Sequence, residues 1–67
     1  MLNWRKTTLT QYDTVQSAVE VMNKESSRIV LVVDKNDRLI GTVTDGDIRR
    51  ALIKHLSMNT SIANIMF

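Results

Sequence analysis

The run IVLVV, residues 29 to 33, constrains this chain more than any other stretch. It is apolar and mostly β-branched without polar alternation, the pattern of a strand covered on both faces. A chain of 67 residues that carries such a strand must supply the cover or borrow it, because so small a domain buries only roughly 60% of the surface its unfolded chain exposes. There is no cysteine and one histidine, so neither a disulfide nor a histidine-cysteine metal cluster supports the core. The apolar fraction of 43% suits a globular chain. The expectation is a thin core that gains from a partner surface.

The neighbours of that strand set the rest of the order. DTVQ, residues 13 to 16, reads as a capping box, with Asp13 accepting from the free amides of a first turn and Gln16 reaching back. Val15, Ala18, Val19 and Met22 then recur at the helical spacing, which predicts an amphipathic helix over 14–25. After IVLVV, the turn residues DKND at 34–37 lead into RLIGTV, a second strand antiparallel to the first. Gly41 inside that strand signals a bulge or a close backbone approach. From TDGD, residues 44 to 47, a second apolar stripe runs through Ile48, Ala51, Leu52 and Leu56. The closing IANIMF, residues 62–67, reads as a short apolar tail with no helix of its own. The chain is α+β in class: extended segment, helix, strand, strand, helix.

TDGD admits two readings. As structure, Thr44 at an N-cap and an acid three residues on cap the second helix reciprocally, while Gly46 lets the chain turn tightly. As a site, the same helix start presents free amides suited to phosphate. Thr44 offers a hydroxyl to phosphate or sugar, Asp47 can accept from both hydroxyls of a ribose, and Arg49 or Arg50 adds a charged fork. A mononucleotide fits these groups. Its base would lie against Ile29 to Val33, meeting Val30 and Val32, or against the extended segment near Thr8 to Tyr12. The residues alone leave both readings open.

Other classes find less support. Asp45 and Asp47 lack further convergent ligands for a metal, and side chains two apart on a helix do not face each other for acid–base work. His55 reads as a solvated helix-end residue, and no nucleophilic triad assembles around it. Trp4, Tyr12 and Phe67 are not interleaved with basic residues as a nucleic-acid stacking surface would be, and nine Lys/Arg against seven Asp/Glu give a net charge of only +2. No apolar run approaches the ~18 residues of a membrane span, and no secretory leader is evident. A cytoplasmic setting is expected.

DTVQSAVEVM, RIVLVVDKNDRLIGTVTDGDIRRAL and SIANIM together resemble a cystathionine-β-synthase-type (CBS) domain. The family marker is a glycine, a small or apolar residue, any residue, Ser or Thr, two more and Asp. It is met from Gly41 to Asp47, with Thr42 where a larger apolar side chain is commoner. The resemblance implies a small sheet covered on one face by two helices, with residues 7–57 as the domain, 1–6 as an N-terminal extension and 58–67 as a linker toward a second CBS domain. It also implies a regulatory ligand, AMP or ATP, with Asp47 on the ribose hydroxyls and Thr44 near ribose or phosphate. No cofactor is required and the fragment is not an enzyme. Such domains work in pairs, so a second CBS domain or a second copy is expected as partner. The form GTVTDGDIRRAL near the start of the chain resembles the CBS pair that precedes sugar-phosphate nucleotidyltransferases; a related TDGD-Arg form follows sugar-phosphate isomerase domains, and the N-terminal position favours the former. The rival reading is a ligand-free assembly domain in which TDGD is only a helix cap.

Overall fold

The structure, a computed structural model, describes residues 4–67, so of the expected extension only residues 4–6 are described, and the Trp4 side chain also lies outside the description. A 3-10 turn, Trp4–Thr7, leads into strand β1, Thr8–Thr10. Helix α1, Val15–Lys24, carries the chain to strand β2, Ile29–Val33, which lies parallel to β1, as a helical crossover permits. Strand β3, Leu39–Thr44, returns antiparallel to β2, and helix α2, Asp45–Ile53, follows it directly. The result is a three-stranded mixed sheet in the order β1-β2-β3.

One cluster forms the core. Val15 and Ala18 of α1, Ile48 of α2, Val30 and Val32 of β2, Val43 of β3 and Ile62 all meet in it. Val30 pairs with Val43, and cross-strand partners share a sheet face, so both helices cover the same face. Period-2 alternation then turns Ile29 and Leu31 away from the core. Ile29 is 41% exposed and Leu31 is half-buried. Among the described residues the helices therefore cover one face of IVLVV, and at Ile29 and Leu31 the other face is not fully covered.

Local chemistry explains the boundaries. The α1 N-cap is Thr14, whose hydroxyl accepts from the Ser17 amide at 3.1 Å, not Asp13. Asp13 sits one residue too early for the cap and instead accepts from the Thr10 amide at 2.8 Å, closing the turn after β1. In DKND, Asp34 accepts from the amides of Asn36 and Arg38 at 2.8 and 2.9 Å, and Asp37 adopts a left-handed φ of 61°. α2 ends in a Schellman arrangement, with His55 at φ 62° and the amides of His55 and Leu56 donating to Leu52 and Ala51 carbonyls. Gly41 meets both expectations. The ladder shifts register beside it, and a Cβ there would lie 3.1 Å from both Met66 Sδ and the Phe67 carbonyl oxygen.

The last ten residues are tied to the start of the fold. The Val15 and Gln16 amides donate to the Thr60 and Met58 carbonyls, and the Ile62 amide donates to Asp13. A second 3-10 turn, Ile62–Asn64, capped by Ser61, buries Ile62 completely. Residues 62–67 thus hold a helical turn and a core residue of this domain. The apolar tail extends the fold.

Candidate functional site

TDGD sits where β3 becomes α2. Thr44 has extended backbone angles, φ −108° and ψ 168°, so its side chain overhangs the first helical turn. Its hydroxyl accepts from the Asp47 amide at 3.3 Å. Asp47 Oδ2 in turn accepts from the Thr44 amide at 2.8 Å and the Thr44 hydroxyl at 3.0 Å. This is the reciprocal capping box expected from the sequence. Asp47 Oδ1 accepts from the Arg50 guanidinium, one helical turn on.

The electrostatics keep Asp47 ionised. Burial works to raise its pKa, but the Thr44 amide, the Arg50 guanidinium and the Thr44 hydroxyl outweigh burial and hold the carboxyl below its ordinary value. Its side chain is only 8% exposed, against 65% for Arg50. The anion is enclosed, and its counter-ion arm stands largely in solvent.

The chain passes from β3 into α2 at this point without a positive φ at Gly46. Gly46 lies in the first turn of α2, where the Arg50 guanidinium passes over it, with Nη1 3.6 Å from the position a Cβ would take.

The structure gathers some of the expected residues and separates others. Thr44, Asp47 and Arg50 converge, while Arg49 is exposed and stands outside this hydrogen-bonded set. Val30 and Val32 are fully buried in the core beneath the helices. They turn toward the helices and cannot present a wall to a ligand directly. The strand residue beside the turn is Ile29, which pairs with Thr44. Thr10, Gln11 and Tyr12 line a different, open cleft of about 450 Å³ with Val33, Asp34, Lys35 and Asn36. That cleft lies at the other end of β2, about 13 Å away at the usual strand rise.

A smaller cleft of about 140 Å³ adjoins the turn, lined by Asp47, Arg50, Ala51, Lys54, Leu56, Asn64 and Ile65. Sequence reasoning missed Lys54, although positions 47, 50 and 54 fall on one helical face and carried the signal. Asn64 and Ile65 carried none, because only the fold brings them there. Among the described residues no group of three or more His, Cys, Asp or Glu side chains gathers as a metal site would require.

Residues 5–54 match the family model described as CBS domain. Over 44 residues, 66% of this chain, the sequence is 41% identical to an uncharacterised protein of Helicobacter pylori, of which the match covers 13%. The fold is similar to that of a CBS domain protein from Pyrobaculum aerophilum complexed with AMP, with a TM-score of 0.84 at 18% identity, over 90% of this chain and 47% of that one. It is also similar to the CBS domain pair of protein MJ0100 in complex with 5′-methylthioadenosine and S-adenosyl-L-methionine, with a TM-score of 0.80 at 25% identity, over 90% of this chain and 46% of the other. The chain spans less than half the length of either solved structure and a small part of the curated relative.

Proposed function

The chain belongs to the CBS-domain family, and from that premise we propose that it is the adenosine-nucleotide-sensing half of a paired regulatory module. CBS domains regulate and do not catalyse, and this fragment is such a unit. The observation that carries the ligand reading is the buried, ionised Asp47, with one oxygen locked in the cap and the other held, among the described residues, by an exposed arginine. The ligands of the two solved relatives have adenosine in common, and ribose is the part that a carboxylate reads through its paired hydroxyls.

In this reading Asp47 accepts from the ribose, Thr44 approaches ribose or phosphate, and Arg49 and Arg50 meet the phosphate of AMP, ADP or ATP. The base lies against the β2 wall at Ile29, with Val30 and Val32 backing that wall from within. Ligand acts by favouring one packing of the module over another, which requires unequal affinity for the two arrangements. The second half of the module is another CBS domain or another copy of this chain, seated on the sheet face that carries Ile29 and Leu31. Residues 7–57 are the repeating unit, and 58–67 both close its core and lead toward the partner domain.

The parent we assign is a cytoplasmic sugar-phosphate nucleotidyltransferase, from the form GTVTDGDIRRAL. A full-length protein that releases no pyrophosphate from a nucleoside triphosphate and a sugar phosphate removes that assignment. No described helix is long and apolar enough to cross a membrane.

One observation favours a second reading. Thr44 and Asp47 are both already employed in the capping box, as a pure assembly domain would need. Calorimetric titration with AMP, ADP, ATP and S-adenosylmethionine separates the two. The expected result is saturable binding that Asp47→Asn abolishes while circular dichroism shows the fold retained. A folded wild-type chain that binds none of the four supports the assembly reading.

A further inference from the structure

The two oxygens of Asp47 are not equivalent. Oδ2 is held by the amide and hydroxyl of Thr44 at 2.8 and 3.0 Å, donors fixed by the end of β3. Among the described residues the partner of Oδ1 is the Arg50 guanidinium alone. That guanidinium folds back over the first turn of α2, with Nη1 and Nη2 3.6 and 3.9 Å from the Cβ position of Gly46. A ribose diol that approaches Asp47 finds Oδ2 committed to the cap and Oδ1 covered by a cation.

We infer that Arg50 determines the specificity of this site: it occupies Asp47 Oδ1 until a phosphate draws it away, so that phosphorylated nucleotides are admitted and free nucleosides are held off. The inference rests on the ribose-binding reading of Asp47. Its chemistry is one of exchange. A nucleoside must displace a charge-assisted hydrogen bond and offers the released guanidinium no anion in return. A nucleotide displaces the same bond but presents phosphate oxygens that take the guanidinium fork in two parallel bonds. The pair is displaceable because an i,i+3 bridge with one exposed partner is weak. Lys54, on the wall of the same cleft, gives the phosphate a second cation.

The test titrates adenosine and AMP into the 67-residue chain as wild type, Arg50→Ala and Arg50→Lys. In Arg50→Ala, adenosine binding is expected to strengthen and AMP binding to weaken. The preference for AMP over adenosine should fall by roughly tenfold to a hundredfold, the worth of one hydrogen bond to a charged group. Arg50→Lys keeps the charge without the fork and should fall between. Adenosine binding by Arg50→Ala alone also supports the inference. An equal change in both affinities, or none, overturns it and leaves the ribose reading of Asp47 standing. If no variant binds either compound, the ribose reading fails and this inference with it. Carboxyl carbon-13 shifts of Asp47 give a readout independent of ligand: its pKa should rise in Arg50→Ala, and an unchanged value removes the Arg50 contact from solution.

Discussion

A single carboxylate, that of Asp47, closes the first turn of α2 and faces the adjoining cleft, so one ionisation governs both. Folding depresses its pKa; between the two values the unfolded chain therefore binds more protons than the folded one. Its stabilisation is complete above the ordinary aspartate value near pH ~4 and is lost as pH falls through the lower folded value. Wild type should therefore lose thermal stability more steeply below pH ~4 than Asp47→Asn. At neutral pH the variant should be the less stable by about 1 kcal/mol, a typical cap contribution. Melting curves by circular dichroism across pH 3–7, roughly the range that brackets the transition, check this. Parallel curves for the two proteins would remove the carboxylate from the acid limb.

Among the elements, those specified by neighbouring residues are legible in the sequence itself. The stripe of Val15, Ala18, Val19 and Met22 announced α1, DKND announced the hairpin, and Thr44 with Asp47 announced the cap of α2. What the sequence hid depends on partners far away in the chain. Nothing near Asp13 shows that Thr14 takes the cap, because the choice follows from the turn Asp13 closes with Thr10. Nothing near IANIMF shows that Ile62 enters the core, because its neighbours there come from both helices and the sheet. The site divided in the same way. Thr44, Asp47 and Arg50 were readable at one helix start, whereas the burial of Val30 and Val32 required knowing which sheet face the helices cover. Ile62→Ala should cost about 2–5 kcal/mol, a large share of the ~5–15 kcal/mol typical of whole domains. Urea denaturation measures it, and a loss below about 1 kcal/mol, the scale of a surface change, would show the closing segment to be dispensable.

At the scale of the whole fold, the described residues form a sheet with one face covered by both helices and the other uncovered at Ile29. Leu31 points away from the helices, so Leu31→Lys leaves the core cluster untouched while placing a charge on the face where a second CBS domain is proposed to sit. Sedimentation across a concentration series should show wild type self-associating and Leu31→Lys monomeric with an unchanged circular dichroism spectrum. Equal masses for the two would move the partner surface elsewhere. The ties between residues 13–16 and 58–62 also set the order in which the fold can be completed. On the ribosome, β1 and the first turn of α1 emerge well before the carbonyls that receive the Val15 and Gln16 amides, those of Thr60 and Met58. Long-range closures of this kind slow folding relative to local ones. More than forty residues therefore follow the start of the first helix before it is fastened, and this domain locks only when Ile62 arrives.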